Sequence, residues 1–343
     1  CDYLLKIMWN IYIKIQSILI IVKKILCKWG VALEANRRFF SKIGFNYFAL
    51  GIIVLVLNLF IGLFISIINP NLLSNQTMMT FFSAIWTYLL PLPIFIYIMR
   101  KTEAKTLEKH KMTVKTFVIC ISITMFLMWI GNIMGVIITS GIGSLIQHEV
   151  ANPINDVINN SGLVANLIII TPIAPIFEEL IFRKLLIDRT IKYGGTISVL
   201  LSGLLFAFFH GNLNQFFYAF LLGGFFAIIY IKTGQIKYTI GLHMIINFIG
   251  SVVSLFVSQP LMDLANGSVI SPTSTFGVIL YILITLGLTV MGLIYSIKYF
   301  DKSRFDGSEK EIILKNPVST ILLNPGIICF ILLMSYTIFT SIA

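Results

Sequence analysis

Two adjacent glutamates lie inside an apolar segment, where a charged side chain is expected to have a functional role. Of the 14 acidic residues, we assign only Glu178 and Glu179 to a segment able to cross a membrane. A carboxylate at bilayer depth costs at least a few kcal/mol unless it is partnered, so such groups are functional candidates. On a helix, Arg183 lies four residues beyond Glu179 and can pair with it, whereas Glu178 is turned about 100° away. The two carboxylates are therefore expected to have different roles, although an orienting ion pair beside a solvated glutamate would also explain them.

Two of the four histidines, His210 and His243, lie at the ends of apolar segments that follow the glutamates. Asn247 follows His243 by four residues and Phe206 precedes His210 by four, so each pair shares a helix face. Taken singly, these polar residues could simply join helices through hydrogen bonds. Together with the glutamates, they form a set able to activate water and stabilise an oxyanion.

The elements that position these residues are predicted to be membrane helices. The sequence is 57% hydrophobic and 11% charged, with a mean hydropathy of +0.94, which exceeds what a water-soluble fold can bury. Apolar runs of roughly 20 residues predict helices, since helices satisfy their own backbone in lipid. We predict an all-α, polytopic transmembrane helical bundle with about eight to nine spans. The predicted spans are 44–69, 79–99, 116–141, 163–187, 196–210, 215–231, 238–258, 276–298 and 318–342.

The basic residues are confined to alternate connections. All 25 Lys and Arg residues lie in the first 42 residues or in the segments 100–115, 183–192, 232–237 and 298–315. This bias predicts that the basic connections are cytoplasmic. The net charge of +11 is then a consequence of topology, which argues against nucleic-acid binding.

One membrane domain is predicted, because no connection is long enough to fold alone. Residues 1–42 mix lysines with apolar residues and are predicted to form a cytoplasmic, interfacial amphipathic segment. Residues 43–343 would form the membrane domain, with a catalytic core at about 160–258. The four cysteines show no pairing pattern.

The fifth and sixth predicted spans are too short for two full crossings and the turn between them. Their turn begins at His210 and contains three further polar side chains, which lipid tolerates only beside protein or a water-filled cavity. Simple hydropathy places His210 toward the outer side and His243 near the cytoplasmic side. A turn sunk into the bilayer would bring the two histidines together.

Three motifs in this region resemble those of a known family. EExxxR is present at 178–183, FxxxH at 206–210 and HxxxN at 243–247, in that order and within apolar spans. Over about 160–250 the chain resembles the CPBP family of intramembrane endopeptidases, also called Abi proteins, which includes type II CAAX prenyl proteases and bacteriocin-processing enzymes.

The resemblance implies hydrolysis of a peptide bond at or within the membrane. Glu178, assisted by His210, would be the general base that takes a proton from the attacking water. His243 and Asn247 would hold the oxyanion.

The resemblance also implies that Glu179 and Arg183 position this apparatus. No cofactor is favoured. Zinc is the alternative, with Glu178, His210 and His243 as its ligands, but the sequence lacks an HExxH motif and an asparagine is better suited to an oxyanion than to zinc.

Two other functions remain open for this sequence. A protein of the same fold could act without catalysis, as a bacteriocin-immunity, regulatory or scaffold partner, and a transporter could use the polar centre as an ion pathway. The expected partners are membrane lipid and a lipidated, leader-bearing or otherwise membrane-associated peptide. An Ile-, Lys- and Asn-rich composition indicates a low-GC bacterium, and the topology indicates the plasma membrane.

Overall fold

The computed structural model describes residues 34–299 and 311–342, and this part of the chain contains helices and turns but no strand. The predicted all-α fold is confirmed. In chain order the helices are α1 (Ala35–Ile68), α2 (Gln76–Arg100), α3 (Val114–Ile146), α4 (Pro153–Tyr193), α5 (Gly195–Phe209), α6 (Leu213–Thr233), α7 (Ile236–Ala265), α8 (Pro272–Lys298), α9 (Pro317–Ile321) and α10 (Pro325–Ile342).

Within the described residues, eight helices are long and apolar enough to cross a membrane. The exceptions are α9 and α5, and the 15 residues of α5 give a length of only about 22 Å. Helix α4 begins at Pro153, ten residues before the predicted start of that span, and continues to Tyr193. Residues 1–33, which make up most of the predicted interfacial segment, lie outside the described residues.

The chain divides into two compact units, and the smaller one contains the described residues 34–52 and 314–333. Its core includes the fully buried Phe40, Ile43 and Phe330. A Cβ atom at Gly326 would lie 1.8 Å from the carbonyl oxygen of Ser41. The absence of a side chain at Gly326 is therefore what lets these two helices meet.

The larger unit contains the described residues 53–299, 311–313 and 334–342. Helix α3 packs against both α6 and α8 in this unit. A Cβ atom at Gly131 would lie 2.3 Å from the Cα atom of Tyr218, and one at Gly292 would lie 2.0 Å from the carbonyl oxygen of Ser122. Small residues thus permit close contact between the helices, as is common in membrane bundles.

The turn between α5 and α6 is organised by its own polar groups. Gly211 adopts a φ of 66°, and the side chain of Asn212 accepts from the backbone N–H of Gln215 at the start of α6. The Asn212 amide also donates to the carbonyl oxygen of His210 over 3.1 Å and to Oε1 of Gln215 over 2.6 Å. Asn212 and Gln215 are thus partners within the turn, whereas Asn214 bonds outside it, to the carbonyl oxygen of Ala151 and the hydroxyl of Thr139. The depth of the turn in the bilayer stays a prediction.

In the described part of the chain, four wide, π-helical turns interrupt the regular helices, at Ile85–Leu89, Asn166–Ile173, Leu180–Leu185 and Phe248–Val253. Proline accounts for the first two, since Pro91 follows one and Pro172 lies inside the other, and proline lacks the N–H that a regular helix needs. The third turn begins directly after Glu179 and the fourth directly after Asn247. Such turns reorient the side chains around them and are frequent at functional sites.

Candidate active site

A fully buried ion pair joins Glu179 to Arg183. Arg183 Nε lies 3.0 Å from Glu179 Oε2, and Arg183 Nη2 donates to Glu179 Oε1 over 3.1 Å. Arg183 Nη1 also donates to the hydroxyl of Ser202 on α5 over 3.2 Å. The guanidinium group lies 4.6 Å from the ring centroid of Phe206. This arrangement connects α4 to α5 and gives each buried charge a partner. Burying either charge without its partner would cost several kcal/mol of stability.

His243 lies between the two carboxylates and is only 6% exposed. Its Nδ1 is 2.9 Å from Glu179 Oε1, and its Nε2 is 3.7 Å from Glu178 Oε2. An ionised carboxylate only accepts hydrogen bonds, so Nδ1 carries the proton in this contact. Nε2 therefore faces Glu178, and it can donate only when the imidazole is doubly protonated.

Glu178 has a different environment from its neighbour. Its side chain is 16% exposed, whereas that of Glu179 is 0% exposed. The hydroxyl of Tyr88, on the first π-helical turn, donates to Glu178 Oε1 over 2.8 Å. The 3.7 Å between Glu178 Oε2 and His243 Nε2 exceeds a direct hydrogen bond. Of the two carboxylates, Glu178 is thus the accessible one, and Glu179 is committed to Arg183 and His243.

His210 joins this group through Phe206. Its Nδ1 is 2.8 Å from the carbonyl oxygen of Phe206, and since a carbonyl only accepts, Nδ1 donates and Nε2 is left to accept a proton. The Phe206 ring centroid lies 4.6 Å from the His210 ring and 5.9 Å from the His243 ring, in edge-to-face contact with both. The two histidines therefore flank one phenyl ring, although simple hydropathy places them on opposite sides of the bilayer.

Asn247 connects α7 to α4. Its Nδ2 donates to the carbonyl oxygen of Ile170 over 2.9 Å. The Ile170 carbonyl lies in the second π-helical turn, and neither nearby backbone donor reaches it. The N–H of Ala174 bonds to Ile169, and Pro175 has no N–H. Asn247 thus supplies a donor that the backbone lacks, and this bond occupies one of the two N–H groups of its amide.

The comparison with protein families matches residues 160–249 to the Rce1-like type II CAAX prenyl endopeptidases. The resemblance predicted over about 160–250 is confirmed for this segment. This Rce1-like segment covers a little more than a quarter of the chain. No curated protein and no solved structure shows a significant match. The family supports an intramembrane endopeptidase of the CAAX type, and the eight apolar helices fit an integral membrane protein.

All six predicted site residues lie in the Rce1-like segment, and the structure gathers them to different degrees. Four of them form a continuous cluster, namely Glu178, Glu179, Arg183 and His243. His210 joins the cluster through the shared phenyl ring. Asn247 is one helical turn beyond His243, with one amide N–H directed to the backbone of α4.

Two contributors carry no motif in the sequence. Tyr88 lies far outside the Rce1-like segment, and the sequence signal for it is indirect, namely the pair Pro91 and Pro93 that disturbs its helix. Ser202 lies inside the segment but in an ordinary apolar run. Its hydroxyl accepts from Arg183 and donates to the carbonyl oxygen of Phe182 over 2.8 Å, so its role depends on tertiary contacts that spacing does not reveal.

The zinc alternative requires three ligands around one point. Within residues 34–299 and 311–342, no three His, Cys, Asp or Glu side chains are grouped as metal ligands. His243 Nδ1 is bonded to Glu179, and His210 Nδ1 is bonded to a carbonyl. These contacts do not fit a three-ligand zinc site built from Glu178, His210 and His243.

Proposed function

We propose that this protein is an intramembrane endopeptidase in which Glu178 activates water to hydrolyse a peptide bond of a membrane-associated substrate. The observation that carries the proposal is the difference between the adjacent carboxylates. Glu179 is fully buried and paired with Arg183, whereas Glu178 is partly accessible and its Oε2 lies 3.7 Å from His243 Nε2. A general base must reach its proton and need not be neutralised by a permanent cation.

In the proposed first step, Glu178 accepts a proton from water as the water oxygen attacks the carbonyl carbon of the substrate. The carbonyl π electrons move to the oxygen and form an oxyanion. When the tetrahedral intermediate collapses, the C–N bond breaks and the leaving amine takes the proton from Glu178. His210 assists through its Nε2. Because its Nδ1 donates to the Phe206 carbonyl, Nε2 is the nitrogen that can accept a proton.

His243 Nε2 and the second amide N–H of Asn247 are proposed as the oxyanion donors. This role requires a doubly protonated His243, because its Nδ1 donates to Glu179. Glu179 supports that charge, and Arg183 holds Glu179 in place. Removing one oxyanion donor from an acyl-transfer enzyme typically lowers kcat by about 10²–10³-fold.

The proposed substrates are lipidated, leader-bearing or otherwise membrane-associated peptides. All site residues except His210 lie on α4 or α7, which are long and apolar enough to span a bilayer, so a substrate must approach through the membrane or at its surface. The described residues contain no other cluster that unites two carboxylates, two imidazoles and a guanidinium group.

The test is cleavage of prenylated and leader-bearing peptides by the purified protein in lipid nanodiscs. Glu178→Gln should lower kcat by about 10²–10⁴-fold, the usual contribution of a general base. Glu149→Gln makes the same chemical change at an exposed position and should retain the wild-type rate. If Glu178→Gln folds and cleaves a peptide as fast as wild type, Glu178 is not the base. If the folded wild-type protein cleaves none of the peptides, the noncatalytic scaffold function takes the place of the protease.

A further inference from the structure

A tyrosine on a helix outside the Rce1-like segment holds the proposed base. The hydroxyl of Tyr88 donates to Glu178 Oε1 over 2.8 Å, and its ring lies 5.5 Å from that of Phe177, the residue before Glu178. Tyr88 therefore contacts α4 in two ways, through its ring and through its hydroxyl.

The backbone explains how Tyr88 comes to face α4. Its π-helical turn, Ile85–Leu89, is closed by a bond from the N–H of Leu90 to the carbonyl oxygen of Ile85 over 2.9 Å. Pro91 and Pro93 follow directly and remove two backbone donors. The wide turn changes which side chains of α2 point toward α4.

The contact leaves the two oxygens of Glu178 with different surroundings. Oε1 accepts from Tyr88, while Oε2 faces His243 Nε2 at 3.7 Å. A phenol donor stabilises a carboxylate in one orientation, because hydrogen bonds to charged groups are stronger than neutral ones. With Oε1 held, Oε2 is the oxygen directed to the position where water would react.

We propose that Tyr88 is a positioning residue, which orients Glu178 so that Oε2 acts as the base. This inference rests on the proposed function of Glu178. It adds α2 to the active site, although the family match begins at residue 160.

A hydrogen bond between Tyr and a carboxylate can also serve packing alone, and the same chain offers a matched example. The hydroxyl of Tyr230 donates to Asp188 Oδ1 over 2.7 Å, and both residues are buried. Asp188 has a second partner in Lys184, 3.0 Å away, and neither group is part of the proposed site. Tyr230→Phe therefore removes the same type of bond without touching catalysis.

The test compares Tyr88→Phe, Tyr230→Phe and Glu178→Gln in the nanodisc cleavage assay, with the unfolding midpoint measured for each. Tyr88→Phe keeps the ring and should lower kcat by about 10- to 100-fold, the effect of losing one hydrogen bond to a charged group, with KM within about twofold. Tyr230→Phe should keep the wild-type kcat. A kcat for Tyr88→Phe within about threefold of that of Tyr230→Phe would overturn the proposal.

The two proposals fail in distinguishable ways. If Glu178→Gln stays active, the proposed function itself is wrong; if Glu178→Gln is inactive and Tyr88→Phe is fully active, only the role of Tyr88 is wrong. A double-mutant cycle on unfolding, with Tyr88→Phe, Glu178→Gln and both together, measures the contact without activity. A coupling between the two substitutions supports the contact, and strict additivity refutes it.

Discussion

Removing the positive charge of Arg183 is expected to destabilise the protein more than any surface substitution would. Arg183→Met removes the permanent cation that pairs with Glu179 in a fully buried position and leaves that carboxylate with the contact from His243 Nδ1. Removing one partner of a buried ion pair lowers the free energy of unfolding by about 3–5 kcal/mol, because the remaining charge is no longer compensated by its partner. Glu179→Gln should cost a similar amount, since it leaves the guanidinium without its carboxylate.

The double variant Glu179→Gln/Arg183→Met separates stability from catalysis. With both charges gone, the free energy of unfolding should return to within about 1–2 kcal/mol of wild type, since apolar replacement of a buried pair is often close to neutral. Cleavage should nevertheless stay at least tenfold below wild type, because His243 Nδ1 then faces a neutral amide and its doubly protonated form loses support. Stability would thus recover while activity would not.

The assay is unfolding in mixed micelles, followed by cleavage measurements in nanodiscs. Lys105→Ala is the control, because Lys105 and Glu311 form an ion pair with side chains 46% and 54% exposed, and such pairs contribute about 1 kcal/mol or less. If Arg183→Met unfolds like Lys105→Ala, the buried pair does not have the assigned energy. If the double variant is as active as wild type, Glu179 and Arg183 do not position His243.

Three further predictions concern other parts of the structure. Gly131→Ala should destabilise the protein by about 1–3 kcal/mol, because its Cβ atom would lie 2.3 Å from a backbone atom of α6. In unfolding measurements in micelles, the control Gly287→Ala, whose Cβ atom would meet nothing within 4 Å, should be neutral or stabilising by up to about 1 kcal/mol. Asn247→Ala should cost about 1–3 kcal/mol by leaving the Ile170 carbonyl without its donor and lower kcat by about 10²–10³-fold, while wild-type kcat would remove it from the oxyanion site. A zinc chelator should leave cleavage unchanged, and reversible loss of activity on chelation would replace the glutamate mechanism with a metal mechanism.

The sequence predicts the helices and the grouping of motifs because both depend on local spacing. Hydropathy identifies the spans, and the four-residue separation of Glu179 and Arg183 predicts the ion pair that the structure contains. The different surroundings of the adjacent glutamates follow from the rotation of a helix by about 100° per residue. The roles assigned to these residues in catalysis stay predictions.

The contacts between distant helices could not be predicted in this way. Nothing in the spacing places Tyr88 against Glu178, because the contact depends on a wide turn and on the packing of α2 beside α4. The bond from Asn247 to Ile170 likewise depends on a carbonyl that Pro175 leaves without a backbone donor. Prolines within apolar spans indicate that a helix is disturbed, but they do not indicate which side chain repairs it.

The wide turn at Asn166–Ile173 can absorb a change in the length of the chain. Because a π-helical turn holds about one residue more than an α-helical turn, loss of one residue there converts it to a regular turn and leaves the two flanking parts of α4 in nearly the same relative orientation. Loss of one residue before Glu178 in the regular stretch Ala174–Glu179 instead rotates Glu178 by about 100° relative to the first part of α4. A single-codon deletion inside the wide turn is therefore expected to retain more activity than one directly before Glu178, although both leave the hydropathy of α4 nearly unchanged.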